Sequence, residues 1–323
     1  MVSKAGTSAE GASRAEDPAA PVPSKLLDRQ TRNIWVACTL WPVVVFLEPG
    51  LWAVSPALGI AFMLPAIWVY CWLGVLMHEA SHNYFPGTDN RVAYNILSLM
   101  LFMDPQIFLI THATHHIKVN TWEDRQFNQL GHIKSRPLRV LNNAGEIFLG
   151  ALYYIVTGTI AVWRDPRLRR NYSPIMGLVW NLTWMIGLAL VLTCSALVFH
   201  LGVWQTLLPA ALGGWACFLV QRHNELAQHA GVIAEGNLAE RNMATRNMAR
   251  AGLASKIFLF LTHYDGATHV LHHTQGAIYT RPFQGRFATP EGSIYITFKD
   301  YLKILGRWLR GDEAPTIKAK SAS

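Results

Sequence analysis

Apolar residues collect in four long runs separated by polar stretches. The first covers about residues 34 to 47, with Pro42 inside it and Glu48 closing it; the second runs from Leu51 to Met77. The third runs from Ile175 to Leu201 and the fourth from Val203 to Val220. A helix needs about 20 residues to cross about 30 Å of hydrocarbon. The second and third runs suffice alone, whereas the first and fourth need flanking residues. Short links at Glu48-Pro49-Gly50 and at His200 to Trp204 join the runs in pairs. The pattern predicts an all-α integral membrane fold with four transmembrane helices in two hairpins. A fifth run, Ile147 to Trp163, is short and contains Gly150 and Gly158. A full crossing there would put the polar segments on opposite sides, so it reads as interfacial or re-entrant.

Charge sharpens this topology. No Lys or Arg occurs between Asn33 and Asn90 or between Asn171 and Gln221. The basic residues fall in three polar regions, which four crossings place on one side. Positive-inside bias names that side the cytoplasm, together with both termini. The net charge of +8 then needs no nucleic acid to explain it. Charged residues make up 15% of the chain, against roughly 25% in soluble domains, which agrees with a membrane protein. Residues 1–30 read as a disordered leader without the apolar core of a secretory signal. Residues 31–285 form the membrane domain and residues 286–311 an amphipathic segment. Within that segment, Ile294 to Trp308 is expected as a surface helix. Residues 312–323 read as a disordered tail.

The four cysteines, Cys38, Cys71, Cys194 and Cys217, lie inside apolar runs and form no CxxC pair. That excludes an iron–sulfur cluster and a disulfide framework. The histidines are different. Of thirteen, nine fall into groups: His78 and His82 at i,i+4; His112, His115 and His116 at i,i+3,i+4; His269, His272 and His273 with the same spacing; and His229 just beyond the fourth run. Residues three and four apart share a helix face, so each group presents its imidazoles in one direction. Nine imidazoles exceed what one ion takes, and two metals are the natural count. All four groups sit at or beyond the cytoplasmic ends of the spans, so a helical cap on that side would hold a histidine-rich dimetal site. His132, His200, His223 and His263 read as structural hydrogen-bonding groups. Glu79 reads as either a partner of the ligands or a surface residue.

The series His78-x3-His82, His112-x2-His115-His116 and His269-x2-His272-His273 resembles the three histidine boxes of the membrane fatty acid desaturase superfamily, over about residues 50 to 285. His229 looks like the extra ligand of its acyl desaturases. The segment after the third box, Thr274 to Phe283, departs from the pattern usual in acyl desaturases. The resemblance implies two iron ions, cycling between Fe2+ and Fe3+, held by these nine histidines. No catalytic residue beyond the metal ligands is implied. Glu225, in register with His229, is a candidate ligand or ligand partner. Asp124 and Asp265 are candidates to accept the free imidazole N–H. The implied reaction uses O2 to desaturate an apolar lipid or acyl substrate, or, as the alternative outcome, to hydroxylate it. Two electrons come from a separate donor of ferredoxin or cytochrome type, since the chain carries no redox module of its own. A membrane metal transporter or sensor is the alternative of another class. It would need ligands at mid-membrane depth, and these histidines lie beyond the spans.

Overall fold

The computed structural model describes residues 24–85, 88–275 and 289–318. Residues 1–23 of the expected 1–30 leader, most of the departing segment after the third box and residues 319–323 lie outside the described residues; the last residues of that leader, from Ser24, are helical. Helices α1 (Ser24–Val54) and α2 (Pro56–Ser81) meet at Ser55. The Ser55 hydroxyl accepts from Ala57 N–H and Pro56 fills the first helical position, so the chain stops and restarts there. Next come α3 (Asn90–Met100) and α4 (Pro105–Lys118), inclined at 110° to one another. Each starts on an aspartate cap, Asp89 and Asp104, and α4 also has proline at its first position. Then follow α5 (Arg136–Leu149), α6 (Ala151–Arg164) and the single turn α7 (Pro166–Arg169).

Helices α8 (Pro174–Phe199) and α9 (Val203–His229) are the second long pair. His200, in the left-handed conformation, ends α8. Beyond α9 the chain alternates short elements: β1 (Ile233–Glu235), α10 (Leu238–Met243), β2 (Arg246–Met248), α11 (Gly252–Leu261), a 3-10 turn at Asp265–Ala267 and α12 (His269–Gln275). It finishes with β3 (Ile294–Ile296), α13 (Phe298–Leu309) and β4 (Thr316–Lys318).

Among the described residues, four helices are long and apolar enough to cross a membrane: Arg32–Val54, Pro56–Ser81, Pro174–Phe199 and Val203–His229; the bent pair α3–α4 passes the same test only when taken together, as a broken span or re-entrant loop. The outer faces of the four leave large apolar side chains exposed, including Leu58, Ile60, Leu178, Ile186, Leu190 and Leu197. Water would penalise such a surface at about 25 cal/mol per Å², and hydrocarbon would not. The core between these helices holds Trp41, Tyr70, Leu73, Leu76 and Leu97. A second core holds Leu226, Leu259, Tyr301 and Leu305.

Several expectations need correction. The fold is helical but not all-α, because β1 pairs with β4 and β2 with β3, both in parallel. The stretch Ile294 to Trp308 is not one helix: its first three residues are strand, and the helix starts after the cap Thr297, whose hydroxyl accepts from Asp300 N–H. Residues 312–323 are not irregular throughout, since Thr316–Lys318 form β4 on β1 and so pair their backbone groups. The fourth span draws on its flanking residues, as its short apolar run required, and reaches His229.

The run Ile147 to Trp163 is split at Gly150. That residue has φ +59°, and a Cβ there would lie 2.4 Å from the Phe218 carbonyl oxygen. Only glycine allows α9 to pass so close, and the break divides the run between α5 and α6.

Candidate metal centre

Four elements deliver the histidines. His78 sits in the last turn of α2, and His82 is the residue on which that helix ends. His112, His115 and His116 occupy one end of α4, His229 is the last residue of α9, and His269, His272 and His273 lie on α12. The 110° bend between α3 and α4 turns the second histidine group back onto the ends of α2 and α9.

The nine sort into two sets without remainder. His78, His82, His112, His116 and His272 offer five nitrogens, all within 4.8 Å of one another. His115, His229, His269 and His273 offer four under the same limit. Adjacent residues divide between the sets, His115 from His116 and His272 from His273.

Contacts within the five-histidine set fit a cation better than hydrogen bonding. His112 Nε2 lies 3.0 Å from His78 Nε2, 2.9 Å from His82 Nε2 and 3.1 Å from His116 Nε2. His112 Nδ1 faces Gln126 Oε1 at 2.8 Å and so carries the ring proton. Its Nε2 then has one lone pair, which can accept from one neighbour and not from three. Two nitrogens each about 2.1 Å from one ion and about 90° apart lie about 3.0 Å from each other, close to the observed separations. In the second set, His269 Nε2 to His229 Nε2 is 3.1 Å and His115 Nε2 to His273 Nε2 is 3.2 Å.

Outer partners orient the rings. His115 Nδ1 donates to Asp124 Oδ2 at 2.8 Å and His229 Nδ1 to Asn120 Oδ1 at 3.2 Å. Each bond places the proton on Nδ1 and leaves Nε2 bare toward its set. Burial depresses the basicity of the rings, and the neighbouring imidazoles add to it. His82 falls to about 4, His116 to about 3, and His269, His272 and His273 well below the usual imidazole range. They are therefore neutral, as ligands must be.

The three acids fare differently. Asp124 faces His115 Nδ1. Asp265, among the described residues, accepts from Asn224 Nδ2 at 2.7 Å and Gln228 Nε2 at 3.1 Å rather than from an imidazole. Glu225 belongs to neither set; its Oε2 accepts from Arg222 at 2.6 Å. Glu79 is fully buried, which removes its surface reading.

The remaining histidines lie outside both sets. His223 bonds Tyr301 and the Ile147 carbonyl, His263 bonds the Trp68 carbonyl, and His132 stacks on Trp122. Sequence spacing missed Asn120 and Gln126, whose roles depend on a turn folding back onto α4. Asn120, two residues past that helix, has φ +56°, and an asparagine at such a place was the available signal for a turn.

A cavity of about 40 Å³ adjoins the centre and opens onto His78, His112, His115 and His269. Its lining also includes Tyr70, Leu101, Met103 and Phe108. The family model described as fatty acid desaturase matches residues 27–282, a span that contains all nine histidines. No curated protein matches the chain.

Proposed function

The chain belongs to the fatty acid desaturase family, and from that premise we propose that it is a membrane-bound, O2-dependent di-iron oxidase that desaturates a lipid or fatty acyl substrate. The five-histidine set holds one iron and the four-histidine set the other. When bound, the irons supply reductive activation of O2 and the abstraction of hydrogen from an unactivated C–H bond. The chain's own residues position the reaction. His115 and His112 are fixed by Asp124 and Gln126, and the cavity beside them seats the reacting carbon against the apolar side chains of Met103 and Phe108. The same centre yields alcohol or alkene according to how the substrate sits, since ångström-scale placement governs such rates.

The single observation that carries this reading is the crowding of three imidazole nitrogens on His112 Nε2, which a cation relieves. In the proposed topology the four spans form two hairpins, and both termini and the metal centre are cytoplasmic. A separate ferredoxin- or cytochrome-type protein supplies electrons from that side. Metal analysis of purified protein tests the reading, followed by product analysis with candidate lipids, O2 and a reducing system. Two irons per chain and an oxidised lipid are expected. Stoichiometric zinc without oxygen consumption rejects the oxidase, and an alcohol as sole product moves the assignment to hydroxylase.

A further inference from the structure

One buried arginine ties the two histidine sets together. Arg222, in the last two turns of α9, has a side chain 0% exposed. Its guanidinium donates to Glu146 Oε2 at 2.6 Å, to Glu225 Oε2 at 2.6 Å and to the Gln126 carbonyl at 3.0 Å. It lies 5.0 Å from the Phe127 ring centre and 4.9 Å from that of Tyr154. A buried charge is tolerated only with such complete pairing, and losing one partner of it is costly.

What Arg222 holds is the turn that orients the ligands. Asp124 Oδ1 accepts from the backbone N–H groups of Gln126 and Phe127, which closes the turn on itself. Asp124 Oδ2 then fixes His115, in the four-histidine set, and Gln126 Oε1 fixes His112, in the five-histidine set. Phe127 packs at 4.4 Å on His229 and at 4.9 Å on His115. The other carboxylate on Arg222 is more exposed to the centre. Glu225 lies one helical turn before His229 and lines the cavity shared with His78, His112, His115 and His269. A free carboxylate there is a harder, anionic competitor for the same metals.

Building on the metal-centre reading above, we infer that Arg222 is a positioning residue that keeps the centre all-histidine: it ties Glu225 away from the ions while anchoring the 124–127 turn that orients one ligand of each set. Glu225 is thereby a withheld ligand, and the ion pair decides its absence from coordination.

Cobalt(II) binding to purified, metal-stripped full-length protein tests this, because its visible spectrum reports ligand identity without turnover. Glu225→Gln should leave the spectrum and affinity as in the parent protein, within about twofold. Arg222→Gln should shift the spectrum and change the affinity about tenfold or more, in the range of altered ligand partners. The double variant Arg222→Gln/Glu225→Gln should lose the carboxylate's part of the spectral shift while keeping the reduced affinity that follows from the unanchored 124–127 turn. A changed spectrum in Glu225→Gln alone, or a parent spectrum in folded Arg222→Gln, overturns the inference. Should Arg222→Gln fail to fold, the Glu225→Gln arm still decides. If the parent chain takes up no cobalt, the metal-centre reading fails first and the clamp falls with it.

Discussion

Asp124 Oδ2 sits 2.8 Å from His115 Nδ1, and both side chains are almost wholly buried. The carboxylate has no water to share and lies nine residues from its partner, across the end of α4. It places the ring proton on Nδ1 and aims Nε2 at His273. Asp124→Asn keeps the shape but removes the charge, and the amide can turn a donor toward the ring. Affinity for the ion of the four-histidine set should fall about 10- to 100-fold, as for altered ligand partners elsewhere. Metal retention after titration with a graded chelator measures it. Unchanged retention of both ions would show that Asp124 does not hold the ligand.

The division of neighbouring histidines between the sets makes a sharper prediction. His272 belongs with the five and His273 with the four. His273→Ala leaves three histidines in its set and His272→Ala leaves four in the other. Each variant should lose affinity at one site and keep the other, so that mild chelation leaves about one ion per chain rather than two. His273→Ala should release its ion more readily, because a three-nitrogen set has less to spare. Atomic absorption on dialysed protein distinguishes this from a shared site, where either change would release both ions together.

Much of this centre was legible from spacing. The i,i+3 and i,i+4 histidines survive as helical faces because α4 and α12 are regular there. What spacing cannot show is which imidazole faces which ion. His115 and His116 are adjacent in the chain, and their separation depends on how α4 crosses α2 and α9. The aspartates illustrate the same limit. Asp124 and Asp265 look equivalent as acids near boxes, yet Asp265 is taken up by the amides of Asn224 and Gln228, one turn apart on α9. Glu225 was legible as a residue in register with His229, but its pairing with Arg222 needs Glu146, 76 residues from the arginine, to complete the network. The short strands were invisible because three-residue pairings such as Ile233–Glu235 on Thr316–Lys318 carry too little alternation to stand out.

Removing the metals should make the fold acid-sensitive. His82 and His116 have folded values near 4 and 3, below the ordinary imidazole value of 6.5. Between about 6.5 and those values the unfolded chain binds protons that the folded chain refuses. Stability of the stripped protein therefore falls as pH drops through 6.5 and continues to fall toward 4 and 3. Bound cations compete with the same protons, so the loaded protein should hold its melting temperature further into acid. Thermal scans of stripped and loaded protein across pH 7.5 to 4.5, a window chosen to bracket about 6.5, test the difference. Parallel curves would mean that these rings do not control acid stability.

Gly150 separates a backbone requirement from simple small size. Its φ is +59° and an added Cβ would meet the Phe218 carbonyl oxygen at 2.4 Å, whereas nothing lies within 4 Å of a Cβ at Gly187. Gly150→Ala should cost about 1–3 kcal/mol for overpacking, plus about 1–3 kcal/mol for a backbone at φ +59°, ψ −133° that side-chain-bearing residues rarely adopt. Gly187→Ala should stabilise its helix slightly, by up to about 1 kcal/mol. Unfolding in detergent gives both values. Equal effects at the two positions would remove the reason for the break between α5 and α6.

The arrangement of the spans can be tested at the link between α8 and α9. His200 ends α8, Gly202 precedes α9, and no Lys or Arg lies between Asn171 and Gln221. The proposed topology puts this link opposite the metal centre, since His229 lies at the far end of the 27-residue helix α9. A helix of that length spans about 40 Å at 1.5 Å per residue, enough to traverse the hydrocarbon and carry His229 beyond it. A cysteine introduced at Gly202 should react with a membrane-impermeant maleimide from outside intact cells, whereas one at exposed Lys134 should react only after lysis. Labelling of both from the same side would break the two-hairpin arrangement and with it the cytoplasmic placement of the histidines.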